Sequence, residues 1–109
     1  MKDFQTAISI ENRVYLYVGL SRVQSSMGDF KAAINSCLKA VSIKDTIRTR
    51  VGLGEAKEKS GDLLGALNEY ITALTKQSMG KTREEINFER NNLNDRINRL
   101  ENEIQKMKQ

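Results

Sequence analysis

Apolar residues return every three or four positions along the first part of the chain. Val14, Tyr17, Val18, Leu20 and Val23 form one such series, and Phe30, Ala33, Ile34, Cys37, Leu38 and Val41 form a second. This spacing predicts two amphipathic helices, over 13–27 and 30–43. Gly28-Asp29 stands between them. A glycine adopts the left-handed conformation that ends a helix, and an aspartate accepts from the free N–H groups that start the next. The pattern therefore predicts an antiparallel helix hairpin.

The pattern then repeats. "SMGDFKAAINSCLKA" (Ser26–Ala40) and "KSGDLLGALNEYITA" (Lys59–Ala73) align at a shift of 33 residues. Under that shift Val14 meets Ile47, Val18-Gly19-Leu20 meets Val51-Gly52-Leu53, and Ser21 meets Gly54. Gly28-Asp29 meets Gly61-Asp62, Phe30 meets Leu63, Ala33 meets Ala66, and Ala40 meets Ala73. Matched small residues suit places where two helix backbones approach closely. A fixed period of this length is the signature of a stacked helical solenoid, because one hairpin cannot bury its apolar faces alone.

From Thr82 the period changes. Ile86, Leu93, Ile97, Leu100, Ile104 and Met107 are spaced 7, 4, 3, 4, 3, with Arg90 filling the position between the first two. That is a heptad seam on one uninterrupted helix over about 82–107. The fold class expected is all-α: two helix hairpins forming a short α-solenoid over 14–80, and a long coiled-coil helix over 81–109. The seam has three readings, a parallel self-dimer, a coil with another protein, or a cap folded back on the last hairpin. Residues 1–13 have two. "DFQTAI" (Asp3–Ile8) echoes "DFKAAI" (Asp29–Ile34) and fits a shortened earlier repeat, while Phe4, Ala7, Ile8 and Val14 also keep phase with the first helix as an extension of it.

Residues 14–80 resemble the tetratricopeptide repeat family. Tyr17, Leu20, Ser21, Gly28, Phe30, Ala33, Cys37 and Ala40 carry the resemblance in one copy, and Leu53, Gly54, Gly61, Leu63, Ala66, Tyr70 and Ala73 in the other. The departures are Arg50 where an aromatic is usual, Gln24 and Lys57 where a tyrosine is usual, and Asp45 and Ser78 near the usual closing proline. The resemblance implies a concave groove lined by the first helix of each repeat. Its walls would include Tyr15, Val18, Arg22 and Ser25 from one repeat, and Arg48, Val51, Glu55 and Lys59 from the other. Gly19 and Gly52 stand where members that clamp a terminal carboxylate carry polar residues, and of that cluster only Arg48 is matched. The two glycines would instead expose backbone to a close-packed helix or extended peptide.

Composition narrows the chemistry. The chain has no histidine, so the commonest acid–base group and zinc ligand is missing, and Cys37 is its one cysteine. "SMGKT" (Ser78–Thr82) resembles the end of a phosphate loop, but Thr75 stands where that motif needs glycine, and the preceding "ALNEYITAL" reads as helix. No enzyme, cofactor or metal site is expected. The net charge of +4 is spread among both signs rather than clustered, which argues against nucleic acid. No apolar run approaches the roughly 20 residues of a membrane helix, and one cysteine suits a reducing intracellular compartment such as the cytoplasm. The expected function is protein–protein interaction, as an adaptor or assembly subunit. It would hold a peptide or helix in the groove and a partner chain along the seam. A purely architectural subunit, or fragment, of a large complex with no exchangeable ligand is the alternative, with a nucleic-acid-associated subunit behind it.

Overall fold

The computed structural model describes residues 4–78 and 82–108, residues 4–8 as backbone only. The fold is all-α. Five helices follow in order: α1 Phe4–Ser26, α2 Phe30–Ile43, α3 Ile47–Lys59, α4 Leu63–Ala73 and α5 Arg83–Met107. α1 pairs with α2 and α3 with α4 as hairpins; α2 also packs on α3, α1 on α3, and α5 on α4.

The two hairpin turns share one hydrogen-bond pattern. Gly28 and Gly61 take φ of 83° and 95°. In the first turn Asp29 N–H donates to Gln24 O at 2.9 Å and Gly28 N–H to Ser25 O at 3.0 Å. In the second, Asp62 N–H donates to Lys57 O at 2.9 Å and Gly61 N–H to Glu58 O at 3.1 Å. This double closure satisfies carbonyls that the helix end leaves free, and it requires a residue at positive φ. Each aspartate then caps the next helix: Asp29 Oδ1 accepts from Ala32 N and Asp62 Oδ1 from Gly65 N.

The 33-residue shift carries contacts onto contacts inside the hairpins as well. Ser36 hydroxyl donates to Gln24 Oε1 at 2.7 Å; at the shifted positions Lys57 ammonium donates to Glu69 Oε2 at 3.0 Å. Cys37 thiol donates to Ser21 Oγ at 2.9 Å; at the shifted positions the Tyr70 ring packs over Gly54. Arg50, which stands in the place of Tyr17, replaces aromatic packing with a polar network. It holds Asp45 through Nε and Nη2 at 2.8 and 2.9 Å and Glu69 through Nη1 at 2.9 Å. Glu69 is buried, and a buried carboxylate needs such partners.

Three clusters make up the core. Val14, Val18 and Ala40 join α1 to α2. Ala33, Cys37, Leu53 and Ala56 join α2 to α3. Ile47, Ala66, Tyr70, Ala73, Leu93, Ile97 and Leu100 join α3, α4 and α5. Leu20 and Val23, counted with the apolar face of the first helix, are exposed, because α1 has a neighbour on only some of its sides. α1 runs without a break from Phe4 and is 23 residues long against 13 for α3, so residues 4–13 continue it. Gly80 lies outside the described residues; Thr82 caps α5, its Oγ1 accepting from Glu85 N at 3.1 Å.

Candidate functional site

α1 and α3 lie side by side, and α5 is held against α3 and α4 by contacts at three levels. At the α5 N-terminus, Thr82 fixes the first turn, which carries Glu84 and Glu85 where the helix dipole favours carboxylates. Ile47 N–H donates to Gln77 O at 3.1 Å, tying the segment after α4 to the start of α3. Ser78 hydroxyl donates to Glu89 on α5. In the middle, Leu93, Ile97 and Leu100 are buried among Ile47, Ala66, Tyr70 and Ala73. Along the α3 edge, Arg96 pairs with Glu55 at 3.4 Å and Arg99 with Glu58 at 3.1 Å.

The result is a cleft of about 660 Å³ between the α1/α3 face and the first half of α5. Its α1/α3 side is formed by Tyr15, Arg22, Ile47, Arg48, Val51, Gly52 and Glu55. Its α5 side is formed by Glu84, Glu85, Phe88, Glu89, Asn92, Leu93 and Arg96. A smaller hollow adjoins it, sharing Arg22, Gly52 and Glu55 and adding Val18, Ser25 and Lys59. Of the eight wall residues that the resemblance implied, Tyr15, Arg22, Arg48, Val51 and Glu55 line the cleft, and Val18, Ser25 and Lys59 line only the smaller hollow. Val18 is buried and forms floor rather than wall. Val51 also packs against the α3–α4–α5 cluster, so it serves core and cleft together. The Arg48 guanidinium lies 5.2 Å from the centre of the Tyr15 ring, a cation–π contact that holds both side chains at the cleft edge.

Charge is unevenly divided across the cleft. Arg22, Arg48 and Glu55 stand on the α1/α3 side, and Glu84, Glu85, Glu89 and Arg96 on the α5 side; Glu55 and Arg96 pair with each other, which leaves arginines facing glutamates. Between them Tyr15, Val51 and Phe88 give apolar surface. Phe88 is 72% exposed, although a phenylalanine left in water is unfavourable by an amount that burial would recover, roughly 1.5–3 kcal/mol.

Sequence reasoning did not place the α5 wall. The heptad seam gave Leu93, Ile97 and Leu100 one apolar row, which the structure buries, and left Ile86 half-buried and Met107 exposed at its ends, with Ile104 packed at the edge of the core. Phe88 lies off that row. An aromatic residue among Asn, Glu and Arg was the available signal.

The groups with shifted ionisation serve the scaffold. Burial pushes the Tyr70 hydroxyl well up, and the Glu58 carboxylate that accepts its hydrogen bond at 2.9 Å adds to this. Burial pushes the Cys37 thiol up as well, which makes it a poor nucleophile. Hydrogen bonds from Arg50 hold Asp45 below the usual carboxylate range. Among the described residues no helix is long and apolar enough to cross a membrane. No protein-family model, curated protein or solved structure matches the chain.

Proposed function

We propose that this chain is a protein-interaction module: a short α-solenoid of tetratricopeptide type, closed by α5, that holds a segment of a partner protein in the cleft between α1/α3 and α5. The observation that carries this reading is Phe88, a large apolar side chain held open to solvent in a cleft that also presents Tyr15, Val51 and the bare backbone of Gly52. Apolar anchors inside a charged rim are the usual makings of a peptide-binding groove. The division of charge suits an amphipathic segment that turns acidic groups toward Arg22 and Arg48 and basic groups toward Glu84 and Glu89.

The burial of Leu93, Ile97 and Leu100 on the last hairpin supports the capping role for α5 over the two coiled-coil readings. A coil would need the same three side chains for another helix.

The test is selection of displayed peptides on the immobilised chain, with the Phe88→Ala variant as counter-screen. The reading expects enriched peptides with an apolar anchor flanked by charge, and expects the variant to lose them. Failure to enrich any peptide, or retention of all of them by the variant, would overturn it.

A further inference from the structure

α3 is covered by α2 on one side and by α4 on another. The α2 side is made by Leu53 and Ala56, in one cluster with Ala33 and Cys37, and Ile34 and Val41 pack at its margin. The 33-residue shift carries Leu53 back to Leu20, Ala56 to Val23 and Thr49 to Leu16. On α3 those positions are 0%, 2% and 0% exposed; on α1 they are 42%, 55% and 66% exposed. Met27, one turn further, is 77% exposed. Leu16, Leu20 and Val23 on α1 and Met27 in the turn after it are spaced 4, 3, 4 and make one stripe. Here the outer face carries Leu and Val where the covered face carries Thr and Ala.

The internal interface shows what fits there. A helix with the contact side of α2 covers Leu53 and Ala56 on α3, and α1 presents the equivalent Leu20 and Val23 uncovered. A second copy of the chain has no such helix to offer. α4 is the other helix of that kind, and its contact side, with Ala66, Tyr70 and Ala73, is buried beneath α5. Two stripes meeting face to face would offer four side chains each, short of the ~1,200 Å² that a stable pair of proteins buries.

We propose that the Leu16–Met27 stripe is a docking face for an amphipathic helix of a partner polypeptide. That helix would present Ala- to Cys-sized side chains one turn apart, flanked by branched aliphatic residues. The site is separate from the cleft, since none of the four residues lines it.

The test uses a labelled peptide of the α2 sequence, Asp29–Lys44, carrying Cys37→Ser and stapled as a helix through its outward positions Lys31 and Asn35. It is titrated into the full chain, and binding is read by fluorescence anisotropy. Saturable binding is expected, weakened about tenfold or more by Leu20→Gln with Val23→Gln and unchanged by Phe88→Ala. Both substituted side chains are exposed, so circular dichroism should show the fold intact. Absence of saturable binding, or equal binding by the double variant, would overturn the proposal. So would sedimentation showing that the unaltered chain is a dimer which the double variant dissolves, because a second copy would then be the occupant.

Discussion

Tyr70 occupies the space that Gly54 leaves empty. A Cβ built on Gly54 would stand 2.5 Å from Tyr70 Cε1 and 2.7 Å from Cδ1, closer than real carbon atoms approach without contact forces pushing back. At the equivalent positions of the first hairpin the pair is Ser21 and Cys37, small against small. The two hairpins thus keep one geometry with opposite divisions of volume, as close packing demands. Gly54→Ala should therefore destabilise the chain by about 1–3 kcal/mol, even though alanine is the better helix former by about 1 kcal/mol. Urea denaturation measures this, and a gain in stability would show that Tyr70 does not sit as described.

Gly52 invites the opposite substitution. A Cβ there meets only Cys37 Sγ at 3.8 Å and Val18 Cγ1 at 3.9 Å, ordinary contacts. Gly52→Ala should fold, with stability raised by up to about 1 kcal/mol. Because Gly52 lines both the cleft and the adjoining hollow, the same change should weaken binding of peptides selected on the cleft. Calorimetric titration and a thermal melt, run on the same sample, separate the two effects.

The turns and helices were legible because their causes are local. Gly28-Asp29 and Gly61-Asp62 state a positive-φ C-cap and an N-cap in two letters, and the 33-residue shift announces the second hairpin from the first. The cleft was less legible. Its α1/α3 wall was expected only through the family resemblance, and its α5 wall depends on how Leu93, Ile97 and Leu100 dock, a long-range event that the heptad spacing describes equally well for another chain. Arg50 was the least legible. Its network with Asp45 and Glu69 replaces an aromatic contact by partners 5 and 19 residues away, and nothing adjacent in sequence marks Glu69 as its acceptor.

That network predicts an acid-side pH dependence. Arg50 hydrogen bonds, and then Lys76, lower the Asp45 pKa from its ordinary value. A carboxylate with a depressed folded pKa contributes stability that is present above its unfolded pKa, about 3.9, and is lost as pH falls through the folded value. The melting temperature should fall as pH drops below about 4, and Asp45→Asn should flatten part of that slope. The chain has no histidine and its one thiol is pushed upward. Melting should therefore change little between roughly pH 6 and 8. A steep change inside that window would contradict the assignment.

α5 should behave as a cap. Ile97 is buried and Ile104 packs at the edge of the same cluster. Ile97→Asn with Ile104→Asn places amides where little is available to bond them. The cost should be at least 2 kcal/mol or so, from lost apolar burial and unpaired polar groups. Sedimentation should give a monomer before and after, with the loss appearing in the stability of the second hairpin. A dimer that turns into a monomer would assign the seam to self-association.

The central claim is that α1, α3 and α5 together form one binding cleft. An amide NMR titration with a cleft-selected peptide tests it most directly. Tyr15 on α1, Gly52 on α3 and Phe88 on α5 should shift together along one saturation curve, and Phe88→Ala should abolish all three responses while the remaining spectrum stays folded. Responses confined to the Leu16–Met27 stripe, or to α5 without α1 and α3, would contradict it.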